Sequence, residues 1–230
     1  MATAFLKRST ATPRKRILIV DDHPMMRTGL SQIIKAQPGL EVFGEAGSPA
    51  EALALLGPKL PDLIMADLTM KGGSGFEFIR DVQARHPELP VLAVSMHDEN
   101  VYAERALRAG ARGYIMKEES PDQLILAIQK VLEGGIYLSD NMSTLLLKSF
   151  TNAKSRSAKS PLQCLTDREF EIYQIIGRGK TTEEIAALLR ISPQTVDVHR
   201  AQIKDKLNLK SGTALVHHAV QWAETEGRGE

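Results

Sequence analysis

Residues 16 to 29 read RILIVDDHPMMRTG. Four apolar residues, Ile17 to Val20, run straight into two adjacent aspartates, Asp21 and Asp22. An unbroken apolar run bounded in this way reads as a strand buried on both faces. Two like charges side by side at its end are costly unless something binds them. The stretch therefore poses a question of fold and a question of chemistry together.

Working outward, further strand-like runs lie at Glu41 to Ala46, Leu63 to Ala66, Val91 to Ser95 and Gly113 to Met116. Helical patterns fill the gaps at Met25 to Ala36, Pro49 to Leu56, Phe76 to Ala84, Val101 to Ala109 and Pro121 to Leu132. Five βα units predict an α/β fold, a five-stranded parallel sheet doubly wound by helices, because each parallel crossover needs a helix. Ligands of such sheets sit at the carboxyl ends of the strands. After Ser139 the texture changes: Asp140 to Phe150 can form one more helix, and TNAKSRSAKS, residues 151–160, is small, polar and basic, as in a linker. Residues 162–225 are helical in pattern throughout. Thr166 with Glu169, and Thr181 with Glu184, have capping-box spacing, and Ser192 precedes Pro193 at a helix start. The division expected is a basic flexible tail over 1–15, an α/β unit over 16–138, a linker over 139–161, an all-α four-helix unit over 162–225 and a short tail over 226–230.

Composition agrees with two globular units. The chain has 230 residues and a formal net charge of +1, which exceeds the usual size of one domain. Its single cysteine, Cys164, excludes an internal disulfide and fits a reducing compartment. No apolar run is long enough to span a membrane, so no membrane association and a cytoplasmic location are expected. The first sixteen residues carry five basic side chains and no acid; without an apolar core segment they read as a disordered tail rather than a targeting peptide. The near-zero net charge conceals an asymmetry. Residues 17–138 hold 11 basic and 17 acidic side chains, net −6, whereas residues 190–210 hold five basic against two acidic, net +3. Different partners are implied for the two units.

Asp67 ends the third strand as Asp21 and Asp22 follow the first, and parallel strand ends converge. Carboxylates about 5 Å apart repel by about 3 kcal/mol per pair at an effective dielectric near 20. They must bind a proton, a lysine or a metal, and oxygen ligands with room for water favour Mg²⁺. Ser95 and Lys117 end the fourth and fifth strands, supplying a hydroxyl and an ammonium for an incoming anion. With the charge so neutralised, Asp67 is the candidate nucleophile for a phosphoryl group, to become an aspartyl phosphate.

The acid pair, DLTM followed by glycine, Ser95 and YIMK together resemble the receiver domain of two-component response regulators over roughly residues 15–138. The resemblance implies phosphorylation of Asp67 by a partner histidine kinase. It implies that Asp22, Asp67 and the Thr69 backbone carbonyl ligate Mg²⁺, with Asp21 holding a metal-bound water. It also implies a switch pair, Ser95 and Tyr114, whose hydroxyl moves to the phosphoryl oxygen as the ring turns inward. The sequence departs from that pattern at Lys71, where proline is usual, at Met96, where a small residue is common, and at Glu118, where many receivers have proline. None of these removes a reacting group.

In the C-terminal unit, Glu184 to Leu189 forms a short helix, RIS a turn, and Pro193 to about Leu207 a longer helix: a helix-turn-helix. Val196, Ile203 and Leu207 recur on one face suited to burial, and the other face is polar. On double-stranded DNA, Thr195, His199, Arg200, Lys204 and Lys206 are assigned mainly to phosphates, and Gln194, Asp197, Val198 and Ala201 to base edges. LTDRE, EEIAALLRIS and TVDVHRAQIKDKL resemble the LuxR-type output domain of the NarL/FixJ family over residues 162–225. That resemblance implies four helices, the last of which, Ser211 to about Thr225, pairs with its copy in a homodimer formed on activation; Trp222 suits either that contact or the core, and His217 and His218 suit the surface.

The expectation is a phosphoacceptor that regulates transcription rather than an enzyme that turns over. Two rival readings are a degenerate receiver that binds DNA without phosphorylation and a Mg²⁺-dependent phosphohydrolase. The latter generally carries a second acid two residues after the nucleophile, where this chain has Thr69.

Overall fold

In the computed structural model, residues 13–70, 73–151, 161–189 and 191–226 are described. The first unit alternates strand and helix: β1 (Lys15–Val20), α1 (Pro24–Ala36), β2 (Leu40–Ala46), α2 (Pro49–Leu55), β3 (Leu63–Asp67), a two-stranded ribbon of β4 (Thr69–Met70) and β5 (Gly73–Ser74), α3 (Gly75–Arg85), β6 (Val91–Ser95), α4 (Glu99–Ala109), β7 (Gly113–Met116) and α5 (Pro121–Leu132). The main sheet is parallel throughout, in the order β2-β1-β3-β6-β7. Strand order reverses at β1, so a crevice opens between the ends of β1 and β3. Ile17, Ile19, Leu63, Met65 and Leu92 face α1 and α5, while Leu18, Ile64, Ala66 and Ala93 face α2, α3 and α4. Both faces are covered, which is why these strands read as unbroken apolar runs.

The first strand begins two residues earlier than its apolar run. Lys15 and Arg16 pair with Leu40 and Glu41, and Asp62 holds them in place. Lys15 Nζ lies 3.2 Å from Asp62 Oδ1, and the Arg16 backbone N–H donates to Asp62 Oδ2 at 2.9 Å. Lys15, expected in the tail, is therefore part of the sheet. The rest of that tail, residues 1–12, and the Lys71 departure lie outside the described residues, as do 152–160 and 227–230. The β4–β5 ribbon was not foreseen, since two residues per strand carry no periodicity. It brings Thr69 opposite Ser74 just beyond Asp67.

Within the expected linker, α6 (Asp140–Thr151) buries Met142. The last unit follows a short 3-10 turn (Pro161–Cys164) and comprises α7 (Asp167–Gly177), α8 (Thr182–Leu189), α9 (Pro193–Lys206) and α10 (Gly212–Glu226). Both capping boxes form: Thr166 and Glu169 bond each other's backbone N–H groups at the start of α7, as do Thr181 and Glu184 at α8. Phe170, Tyr173, Ile185, Val196, Ile203, Leu215 and Ala219 are buried together. This core is continuous with the α4 side of the sheet, because Tyr102 meets Phe170 edge to face with ring centroids 5.3 Å apart.

Candidate functional site

The ends of β1, β3 and β7 deliver Asp21, Asp67 and Lys117 to one place. Lys117 Nζ donates to Asp67 Oδ2 at 2.7 Å and forms an ion pair with Asp21 Oδ2, also at 2.7 Å. One ligand atom each from Asp21, Asp22, His23 and Asp67 lie within 4.8 Å of one another. Local backbone geometry sets the carboxylates. The His23 N–H donates to Asp21 Oδ1 at 2.7 Å, and the Thr69 N–H donates to Asp67 Oδ1 at 2.9 Å. His23 itself, whose Nδ1 lies 2.9 Å from Asp22 Oδ1, was not anticipated, although it directly follows the acid pair.

Electrostatics follow from burial. Asp67 and Asp21 are nearly inaccessible. Desolvation raises the Asp67 pKa above its ordinary value, with the Lys117 charge opposing it. Desolvation alone would lower Lys117, but Asp67 and Asp21 outweigh it and raise the ammonium's pKa. Three carboxylates against one ammonium leave two negative charges in excess, and Asp21 Oδ2 is buried with no hydrogen bond beyond its ion contact. A hard divalent cation suits this donor set.

Ser95, fully buried, ends β6 beside this cluster, and the Lys117 N–H donates to its carbonyl at 2.8 Å. Its Oγ accepts from the His97 N–H at 3.2 Å. Tyr114 is only 1% exposed, so its ring is already inside, and its hydroxyl donates to the His97 carbonyl. The His97 ring lies 3.1 Å from Thr69 Oγ1 through Nε2 and stacks on Tyr102 at 4.5 Å between centroids. Burial, with the charges of Arg178 and Lys117 adding to it, pushes its pKa down to about 4, so the imidazole is neutral at pH 7. Sequence pattern gave no hint of His97, whose partners are all distant in the chain or set by the loop.

Gly75 opens α3 against this site. A Cβ there would meet the Asp67 carbonyl oxygen and Leu68 Cα, each at 2.4 Å, so only glycine lets the helix start so close to the third strand's end.

The second surface is α9. Ser192 caps it, its Oγ accepting from the Thr195 N–H at 3.1 Å. Val196 and Ile203 are buried, and Leu207, which follows the helix, packs against the same core. Gln194, Thr195, Asp197, Val198 and Ala201 are exposed, and Arg200 and Lys204 are half-exposed. Val198 leaves 56% of its surface in solvent. Two of the residues expected at phosphates also have contacts inside the unit. Lys206 Nζ bonds Glu169 Oε2 at 2.7 Å, the carboxylate that closes the α7 capping box, so its charge is tied into the unit. His199 is half-buried, and its Nδ1 is buried without a hydrogen-bond partner among the described residues, so the ring is turned partly inward. Trp222 belongs to the core, packed edge to face on Phe170 at 5.6 Å, and His218 Nδ1 lies 2.6 Å from the Tyr173 hydroxyl.

Comparison with known proteins places both units. The family described as response regulator receiver domain matches residues 17–129, and that described as bacterial regulatory proteins, luxR family, matches residues 163–219. The oxygen regulatory protein NreC of Staphylococcus carnosus (strain TM300) is 37% identical over 210 residues, covering 90% of this chain and 97% of that protein. NreC of Staphylococcus aureus (strain MRSA252) is 36% identical over the same shares. Among solved structures, a LuxR-family two-component response regulator from Aurantimonas sp. SI85-9A1 is 32% identical with a TM-score of 0.56, covering 60% of this chain and 99% of that one. RcsB from Salmonella enterica serovar Typhimurium, bound to promoter rprA with the phosphomimetic BeF3−, shares the fold at 20% identity and a TM-score of 0.66, covering 90% of this chain and 98% of that one. With an acidic crevice on a doubly wound sheet and a capped helix-turn-helix behind it, the chain belongs to the two-component response regulators of the NarL/FixJ family, which join a receiver to a LuxR-type DNA-binding domain.

Proposed function

We propose that Asp67 is the phosphoacceptor of this regulator and that Asp22, Asp67 and the Thr69 carbonyl hold Mg²⁺, with Asp21 bound through water. The observation that carries the reading is the sharing of one ammonium, Lys117, between Asp21 and Asp67 at 2.7 Å each, with Asp22 beside them as a third carboxylate that Lys117 does not meet. When bound, Mg²⁺ supplies charge that cancels the repulsion between carboxylate and phosphoryl oxygens. An Asp67 oxygen attacks the phosphorus of a phosphohistidine on a histidine kinase; the new P–O bond forms as the P–N bond breaks and the imidazole leaves. Lys117 holds the phosphoryl oxygens, and the Ser95 hydroxyl donates to one of them. Asp67 is thereby consumed and regenerated only by hydrolysis, which makes the chain a switch rather than a turnover enzyme.

The output is DNA binding in the cytoplasm by a homodimer whose two α9 helices enter successive major grooves. Gln194, Asp197, Val198 and Ala201 read base edges, and Thr195, Arg200 and Lys204 hold phosphates. Because Tyr114 already lies inside, the change on phosphorylation falls on Ser95 and its neighbours. The test is acyl-phosphate formation by the full chain with a small acyl-phosphate donor and Mg²⁺. Labelling is expected for the natural chain and absent for Asp67→Asn; equal labelling of both would assign the acceptor elsewhere.

A further inference from the structure

The DNA-binding unit is held to the receiver by a buried arginine. Arg105, in the middle of α4, donates to the carbonyls of Leu162 and Leu165 and, at 3.2 Å, to Asp167 Oδ1. Its guanidinium also lies 4.2 Å from the centre of the Phe170 ring. Arg80 on α3 adds a bond of 2.7 Å to the same Asp167. A guanidinium buried to this degree has lost its water, and these acceptors from the other unit replace it at Nη1 and Nη2, while Nε is buried without a hydrogen-bond partner among the described residues.

The contact reaches back to the acceptor site through His97. Tyr102, which meets Phe170 edge to face, also carries the stacked His97 ring. The His97 side chain bonds Thr69, whose N–H holds Asp67, and the His97 N–H bonds Ser95 Oγ. A hydroxyl that accepts from this N–H keeps its own proton to donate to an incoming anion. The docked unit thus braces the loop that presents the Ser95 hydroxyl. Docking also leaves the reading face of α9 open, with Gln194, Asp197, Val198 and Ala201 all exposed.

We propose that the docked DNA-binding unit is a positive partner of its own receiver: held by Arg105 and Tyr102, it keeps the Ser95–His97 loop ready for the phosphoryl group. The proposal rests on Asp67 being the acceptor. Coupling between two binding events is reciprocal, so an anion at Asp67 tightens docking, and loosening the dock weakens anion binding. A latch that phosphorylation opens would have the opposite sign.

The test uses the full chain with beryllium fluoride and Mg²⁺, the affinity read by fluorine NMR, together with hydrogen exchange across α4 and small-angle scattering. Arg105→Gln is expected to weaken binding of the mimic by about tenfold, inside the roughly 5- to 150-fold span of such couplings, with Arg105→Lys between it and the natural chain. In the natural chain, the mimic is expected to slow exchange in α4 without enlarging the particle. Asp167→Asn takes from the other unit the charge that Arg105 and Arg80 both meet, leaving the carbonyl bonds in place, and carries the test with a smaller weakening if Arg105→Gln fails to fold. Unchanged or tighter binding in the variants, or expansion and faster α4 exchange on adding the mimic, overturns the proposal. Binding of the mimic to Asp67→Asn as tightly as to the natural chain overturns the acceptor assignment instead.

Discussion

Lys117 Nζ lies 2.7 Å from Asp67 Oδ2, across fifty residues of sequence, and stands equally close to Asp21 Oδ2. All three side chains are nearly buried, so one ammonium compensates two carboxylates where water cannot. Removing one member of a buried charge cluster typically costs about 3 to 5 kcal/mol, because the remaining charges stay buried. Lys117→Met is therefore expected to lose about 3 kcal/mol of stability at pH 7 in chelator, read as a lower urea midpoint. Added Mg²⁺ should restore a part of that loss. An unchanged midpoint in chelator would show that the carboxylates do not depend on Lys117.

Much of this arrangement was written in the local pattern. Ile17 to Val20 and Leu63 to Ala66 read as strands because both sides of each are buried, and the aspartates after them fall at converging ends because the sheet is parallel. What stayed hidden depends on contacts distant in sequence. Arg105 sits among the charges of an amphipathic helix with no local signal of burial; the packing of Phe170 against α4 helps bury it. Lys206 looks like one more cation for DNA, and only the folded chain brings Glu169 to 2.7 Å from it. His97 follows a strand with no flanking motif, and its role comes from Thr69 and Tyr102.

The lysines at the end of α9 should separate in solution. Lys204 is half-exposed and forms no ion pair among the described residues, so Lys204→Ala is expected to weaken binding to all DNA sequences and to reduce the salt slope by about one unit. Lys206→Ala is expected to leave that slope unchanged and to lower the melting temperature instead, since it strips Glu169 of its partner. DNA titrations at several salt concentrations, beside thermal melts, check both. A reduced slope for Lys206→Ala would return that side chain to the phosphates.

Glu169 predicts the acid response of the DNA-binding unit. Burial would raise its pKa, but the bonds from Lys206 and from Thr166 outweigh this and hold it below the ordinary value of 4.5. A carboxylate whose folded pKa is depressed contributes stability that is complete above its unfolded pKa and is lost as pH falls through the folded one. Melting followed from pH 6 downward is therefore expected to show a loss beginning near pH 4.5 that Glu169→Gln lacks. The variant should be less stable by about 1 to 2 kcal/mol at pH 7, as for a damaged helix cap. Equal pH slopes for both chains would remove Glu169 from the account.

Gly75 joins the fold to the chemistry. With a Cβ 2.4 Å from the Asp67 carbonyl oxygen, alanine there must push α3 away from the end of β3 or displace the acceptor strand. Overpacking of this kind costs about 1 to 3 kcal/mol, and the displaced atoms belong to the residue proposed as the phosphoacceptor. Gly75→Ala is expected to slow acyl-phosphate formation at least tenfold while circular dichroism shows the helices intact. A second variant, Gly57→Ala, sits where a Cβ meets nothing within 4 Å and should label at the natural rate. If Gly75→Ala also labelled at the natural rate, the close start of α3 would be irrelevant to Asp67, and the acceptor geometry would have to be set by the β4–β5 ribbon alone.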